Sequence, residues 1–246
     1  MIFSESEDGD AGRDAACTRM GMDRKAMEIV DIHKKYQKNS VLRGVSFTVE
    51  EGSCAGILGG NGSGKSTLLS VLAGIQRADM GKFLWQGEDL LVNSSLRTKL
   101  VGYVPQGNPL LDELTAWDNL RLWYERPALE RELQEGVLAI LGIAEFLKTP
   151  VYKMSGGMKK RLSIGCAVSG QPRILLLDEP TAALDLICKE RIYNYLKEFR
   201  NQGGRILLVT HDAQELELCD SLQILKDGQL SPYKYDGNVH QLVGRL

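Results

Sequence analysis

At 246 residues the chain has room for one α/β core with an inserted subdomain, but not for two such units in series. A net charge of −2, from 30 basic and 32 acidic residues with no long basic run, excludes the electrostatic footprint of a nucleic-acid binder. Apolar stretches such as Ile174–Leu177 and Ile206–Val209 are four residues long where a spanning helix needs about 20, so no segment is expected to cross a bilayer.

Residues 1–25 carry acidic clusters and no apolar core of about 7–15 residues, so they read as a disordered tail rather than a secretory signal. Regular alternation starts near Met27, and Met20, Met22 and Met27 are each candidate starts. The five cysteines, Cys17, Cys54, Cys166, Cys188 and Cys219, are odd in number and never in CxxC spacing. That argues against a disulfide framework or zinc site and suits a reduced cytoplasm.

Alternation around Ile29 and Ile32, and at Val45, Phe47 and Val49, predicts two short strands that join Phe83–Trp85 in a small antiparallel sheet. The apolar run Ser53–Leu58 feeds straight into Gly59-Gly60-Asn61-Gly62-Ser63-Gly64-Lys65-Ser66, and helical spacing through Leu68, Leu69 and Leu72 ends at Gly74. This strand, loop and helix satisfy GxxxxGK[ST]. The glycines let consecutive backbone N–H groups converge on phosphate oxygens, while Lys65 reaches the β- and γ-phosphates and Ser66 reaches magnesium. A tight turn before a helix is the plainer alternative. Tyr36, expected in a loop after the first strand and 23 residues ahead of Gly59, is a candidate platform for an adenine ring, with core packing as the alternative.

Leu100–Val104, Ile174–Asp178 and Arg205–Thr210 are leucine-rich or β-branched without alternation, as in a parallel sheet covered on both faces and wound with right-handed crossovers. Gln106, behind Pro105, is a candidate for contact with both magnesium and a moving interface, although alone it is uninformative. Residues 107–165 are expected as a helical insertion, with Thr115 as N-cap, an amphipathic stretch from Leu129 to Leu141 and Pro150 as a stop. Ser155-Gly156-Gly157 opens a helical segment, where bare backbone and a hydroxyl make a second phosphate clamp; in isolation the tripeptide reads as a loop. Lys159, Lys160 and Arg161 follow in the first turns, where the macrodipole disfavours cations by a few tenths to about 1 kcal/mol each. They point to an arriving anion, against the plainer reading of a solvated basic face.

Asp178 emerges at the carboxyl edge of the sheet and is expected to contact magnesium through water. Glu179, facing the other side of the strand end, suits a carboxylate that polarises an attacking water. Two solvated acids are the alternative for this pair alone. His211 ends another buried strand, where a neutral imidazole can contact a γ-phosphate, although a lone histidine is more often structural. Leu222–Lys226 and Gln229–Tyr235 flank Asp227-Gly228, a two-residue hairpin signal.

Together these motifs, across residues 27–230, resemble the nucleotide-binding subunit of an ABC transporter. The resemblance assigns Gly59–Thr67 to Walker A, Gln106 to the Q-loop, Met154–Met158 to the signature and Ile174–Asp178 to Walker B. Glu179 matches the catalytic glutamate, Ala183-Leu184-Asp185 the D-loop, His211 the switch histidine and Tyr36 the A-loop aromatic. It implies an α/β fold with a P-loop NTPase core and parallel sheet, an N-terminal antiparallel β subdomain and an inserted α-helical subdomain. The ATPase domain would span 26–236, between tails 1–25 and 237–246. ATP and Mg2+ would be the ligands, with Lys65, Glu179 and His211 catalytic, Ser66, Gln106 and Asp178 around the metal, and Thr67 among the nucleotide contacts. Two modules would face head to tail, so that the signature residues Ser155, Gly156 and Gly157 of one complete the site of the other, a second copy or a paralogue, with Asp185 also among the nucleotide contacts. Hydrolysis would drive a membrane permease, with the module peripheral on the inner, cytoplasmic face of the cell membrane.

Met154 and Met158 depart from the family's usual leucine and glutamine, Gly60 from a frequent proline, and Leu186 from the proline after the D-loop. Met158 through Ser163, with Tyr103–Gln106, is similar to the exporter branch that moves drugs, antibiotics, polysaccharides or lantibiotics. A soluble, non-transport ABC ATPase in assembly or cell division is the alternative, and no NKxD of a GTPase is present. Trp85, Trp117 and Trp123 are expected to offer the permease an apolar groove beside Gln106, unless they pack in the core.

Overall fold

The structure, a computed structural model, describes residues 26–235 and Gly244. The tail expected at 1–25, with Cys17, Met20 and Met22, lies outside the described residues, as does the C-terminal tail apart from Gly244.

The N-terminal hairpin pairs β1 (Met27–Tyr36) with β2 (Asn39–Val49), strands of 10 and 11 residues rather than short ones. A bulge explains the length: the register slips between Ile29 and Ile32, Asp31 takes φ 52°, and both isoleucines turn inward three residues apart. The register also carries Tyr36 to the last position of β1, opposite Asn39, so it sits in a strand and not in a loop. β3 (Cys54–Leu58) then enters the second sheet, and the glycine loop leads into α1 (Lys65–Leu72). β4 (Met80–Trp85) returns to pair with β1, as Phe83–Trp85 foretold, and a two-residue β5 (Glu88–Asp89) completes the order β2-β1-β4-β5.

α2 (Ser94–Leu100) precedes β6 (Val101–Val104), so Leu100 ends a helix instead of starting a strand. α2 is capped by Asn93, whose side chain accepts from Leu96 N at 3.1 Å, and it buries no residue fully. Between β6 and β7 the chain forms α3 (Ala116–Arg121), α4 (Arg126–Gln134), α5 (Val137–Ile140) and α6 (Gly156–Ala167). Thr115 caps α3 in a reciprocal box with Asp118. The single amphipathic stretch expected from Leu129 to Leu141 is two helices, because Gly136 is extended at φ −100°, ψ −159° and Glu132 takes the Val137 N–H at 2.9 Å.

β7 (Ile174–Asp178), α7 (Leu186–Asn201), β8 (Arg205–Val209), α8 (Ala213–Leu216) and the hairpin β9 (Ser221–Lys226) and β10 (Gln229–Tyr233) complete the fold. The second sheet runs β10-β9-β3-β8-β7-β6, parallel except for the β10 edge. Every residue of β3, β7 and β8 is buried. Alternate residues serve opposite layers: Ile174, Leu176, Leu207 and Val209 pack with α1 and the antiparallel sheet, while Leu175, Leu177, Ile206 and Leu208 pack with α6 and α7 through Leu162, Ile164, Ile192 and Leu196. A strand covered on both faces has no polar side to show, which is why these runs lack alternation. Each fully buried leucine contributes about 1.5–3 kcal/mol. Because β6, β7, β8 and β3 are adjacent and parallel, the loops at their carboxyl ends converge on one edge.

Candidate active site

The glycine loop follows β3 on that edge. Gly64 caps α1 at φ 105°, a conformation glycine takes freely, and an added Cβ would lie 2.8 Å from Val41 Cγ1. At Gly62, φ is 79° and nothing lies within 4 Å of an added Cβ, leaving the backbone open to an approaching ligand. Lys65 is only 7% exposed, and its Nζ donates to the carbonyls of Gly59 at 2.7 Å and Gly60 at 3.0 Å. Burial lowers its pKa, against the opposing pull of Glu179 and Asp178. The hydroxyl of Ser63 is buried inside the loop with no hydrogen-bond partner among the described residues. An unmet buried donor costs about 1–3 kcal/mol, and a phosphate oxygen is an acceptor suited to it.

Asp178, 3% exposed, ends β7 with its carboxyl bonded to the side chain of Ser66. Burial raises its pKa, and the Ser66 bond and the charges of Lys65 and Lys160 oppose the rise. One hydroxyl and one carboxylate make a hard oxygen pair of the kind that fits magnesium, which takes few protein ligands and completes its shell with water and phosphate. No cluster of three or more His, Cys, Asp or Glu side chains suited to a protein-caged metal occurs among the described residues.

Glu179 comes next, at φ 48°, with its N–H bonded to Val209 O at 2.9 Å. Its Oε2 accepts from Gln106 Nε2 at 2.9 Å, and its Oε1 lies 3.7 Å from His211 Nε2. Three residues separated by 73 and 32 positions, from the ends of β6, β7 and β8, thus meet at one carboxylate. Burial, and then the Lys65 charge, push the His211 pKa below its ordinary value, which favours the neutral imidazole.

Ser155, Gly156, Gly157 and Asp185 gather elsewhere, at the starts of α6 and α7. Ser155 caps α6, accepting from Met158 N at 3.2 Å, and Asp185 caps α7, accepting from Cys188 N at 2.8 Å. Backbone bonds hold the Asp185 carboxyl below the usual range. An added Cβ on Gly157 would sit 2.6 Å from Cys188 Sγ, so the two helix starts press together where only glycine fits. Asn61 is exposed on the loop, Ser66 is exposed in the first turn of α1, and Thr67 beside it is half-buried. Tyr36, 42% exposed, bonds through its hydroxyl to Gln76 and has Lys34 Nζ 5.5 Å from its ring centroid. Its ring therefore lies at the surface and is not packed in the core.

The three cations after the signature are held by groups of this chain rather than spread over a solvated face. Lys160 is buried and its Nζ donates to Pro105 O at 2.9 Å and Gln106 O at 3.0 Å, tying α6 to the loop that carries Gln106. Arg161, also buried, donates to Leu141 O at 2.8 Å and stacks 4.9 Å from the Phe146 ring, while Lys159 pairs with Asp112. Helical position alone concealed these distant carbonyls. The tryptophan groove also dissolves: Trp85 is buried beneath the Arg205 guanidinium at 4.4 Å and Trp117 is half-buried, leaving Trp123, 64% exposed, with Leu111 and Leu122 at the surface.

Sequence reasoning passed over Thr181, Lys189, Asp212 and Glu215. Lys189 pairs with Asp212, and Thr181 bonds through its N–H and hydroxyl to Glu215. Only the spacing of Glu215, four residues after His211, hinted at a shared turn. A cavity of about 700 Å³ lies between α4–α5 and α7, lined by Tyr124, Glu132, Gly136, Tyr195 and Phe199, and it shares no lining residue with the glycine loop.

Residues 42–182 match the family model described as ABC transporter. The chain is 35% identical over 223 residues to the Nod factor export ATP-binding protein I of Sinorhizobium fredii, covering 89% of this chain and 64% of that relative. It is 32% identical over 209 residues to the linearmycin resistance ATP-binding protein of Bacillus subtilis, covering 83% and 67%. The chain thus spans a little under two thirds of the first relative's length. Among solved structures, a dimeric ATP-binding cassette in a post-hydrolysis state, bound to ADP and phosphate, superposes with a TM-score of 0.75 at 26% identity, covering 85% of this chain and 98% of that one.

Proposed function

Since the chain belongs to the ABC transporter family as one of its ATP-binding cassettes, we propose that it hydrolyses magnesium-ATP in a head-to-tail dimer and thereby drives export through a separate membrane permease. The observation that carries this reading is the convergence of Gln106 and His211 on the Glu179 carboxylate, beside Lys65, Ser66 and Asp178. Residues 26–236 form the ATPase domain in this reading, with 107–165 as its helical part.

Lys65 exchanges the carbonyls of Gly59 and Gly60 for β- and γ-phosphate oxygens, and Ser63 gains the acceptor it lacks. Gly59, Gly60, Asn61, Gly62 and Gly64 present backbone to the phosphates, with Ser66 and Thr67 at the start of the helix and Tyr36 under the base. Magnesium, near Ser66, Asp178 and Gln106, supplies charge neutralisation on the phosphate oxygens when bound. Glu179 accepts a hydrogen bond from the attacking water, Gln106 orients that carboxylate, and neutral His211 donates toward the γ-phosphate. Ser155, Gly156, Gly157 and Asp185 close the site of a second subunit, this chain or a paralogue. The names of the two relatives, one with export and one with resistance in it, support the export direction, and a permease partner would hold the chain at the inner face of the membrane.

Glu179→Gln tests the reading. It is expected to keep magnesium-ATP affinity while lowering turnover by roughly 10²-fold or more. Turnover at the wild-type rate would overturn Glu179 as the water-activating group.

A further inference from the structure

Glu215 lies on α8, 1% exposed, four residues past His211. Its Oε1 accepts from Thr181 N at 3.1 Å and from the Thr181 hydroxyl, and its carboxyl also bonds to the Thr210 side chain. Thr181 is two residues beyond Glu179, and Thr210 directly precedes His211. One carboxylate therefore straddles the two loops that deliver Glu179 and His211 to each other.

The neighbouring bonds hold α8 in register for this task. Asp212 N donates to Thr210 Oγ1 at 2.9 Å, Asp212 Oδ1 accepts from Gln214 N at 2.9 Å, and Lys189 of α7 pairs with the same aspartate. A deeply buried carboxylate is a poor device for stability, because apolar packing of similar volume does as well or better. What it supplies here is position. Glu179 occupies the left-handed region, where a non-glycine residue costs on the order of 1–3 kcal/mol and persists only when its surroundings fix it. The Val209 carbonyl fixes its N–H, and Glu215 fixes the chain two residues further on.

We propose that Glu215 is a positioning residue for ATP hydrolysis: by tying Thr181 to Thr210 it sets the separation of the β7 and β8 loops and so aims Glu179 at its water and His211 at the γ-phosphate. This rests on Glu179 being the water-activating group. Glu215 is buried behind Thr181, and Thr181 is the element through which it reaches Glu179.

The test measures turnover, magnesium-ATP affinity and thermal midpoint for Glu215→Ala, Glu215→Gln, Thr181→Val and the double variant Glu215→Ala with Thr181→Val. Misplacing a reacting group by a fraction of an ångström predicts about a tenfold or greater loss of kcat in Glu215→Ala, with affinity unchanged within about twofold. Glu215→Gln, which keeps an acceptor for Thr181, regains most of the turnover. Thr181→Val loses less than Glu215→Ala, and the double variant is no worse than Glu215→Ala alone, as residues acting through one bond require. Wild-type turnover in Glu215→Ala, additive losses in the double variant, or affinity falling in step with kcat would each overturn the proposal. Should Glu215→Ala fail to fold, Thr181→Val decides: unchanged kcat overturns it. Glu179→Gln separates the two readings. If it cuts turnover while Glu215→Ala keeps the wild-type rate, only the positioning role fails; if it retains wild-type turnover, the base assignment fails beneath it.

Discussion

Two glycine-rich helix starts in this chain are finished in opposite ways. At α1 the loop holds a buried hydroxyl, Ser63, without a partner among the described residues, and a lysine whose ammonium rests on its own loop's carbonyls. At α6 the Ser155 hydroxyl already caps Met158 N, Gly157 is pressed against Cys188, and Lys160 and Arg161 are committed to carbonyls of neighbouring loops. The first start gathers binding groups in one chain. The second is a capped surface whose buried cations, Lys160 and Arg161, are already bonded, and in the proposed dimer it meets a nucleotide held by another molecule. Glycine serves ligand access in the first case and helix-to-helix contact in the second.

Substitutions at the two starts should separate them. The largest effect is expected at the first: Lys65→Ala removes charge-assisted bonds worth about 1.5–3 kcal/mol and weakens magnesium-ATP binding by about 10- to 10²-fold in a nucleotide titration. Ser155→Arg, at the second, should leave the affinity of the single chain within about twofold yet abolish ATP-dependent association, read by light scattering. An equal loss of affinity in both would erase the distinction between them.

A smaller effect sharpens the account of α6. Lys160→Met leaves the carbonyls of Pro105 and Gln106 without their donor, at about 1–3 kcal/mol, and the thermal midpoint should fall by a few degrees together with turnover. An unchanged midpoint would show that the clamp contributes nothing.

The smallest effect concerns His211, which is partly exposed. Its folded pKa lies below the unfolded value of about 6.5, so between the two values the unfolded chain binds the extra proton. Its contribution is present above about pH 6.5 and is lost as the pH falls through the folded value. Thermal midpoints of wild type and His211→Asn should therefore converge toward acid, and parallel curves would contradict the shift.

What could be read beforehand was what a few consecutive residues determine. The β3–loop–α1 unit, the doubly buried β7 and β8, the Thr115 cap and the Asp227-Gly228 hairpin each carry their physics within about ten residues. Three features escaped because their partners are distant or their cues are absent. α2 has no buried face and so no apolar period. Tyr36 sits in a strand because it pairs with Asn39, beyond a register slip at Asp31 that breaks the alternation. Lys160 and Arg161 find carbonyls 55 and 20 residues away, which no helical spacing reveals. Gln106, Glu179 and His211 could be nominated singly, but their meeting depends on the strand order β6-β7-β8.

The most direct test of a nucleotide shared between two chains is the mass of the Glu179→Gln variant in solution, measured by light scattering with and without magnesium-ATP. The expected result is a twofold rise in mass on adding nucleotide, reversed on its removal and absent when Ser155→Arg is added. A particle that keeps the mass of a single chain at saturating magnesium-ATP would contradict it.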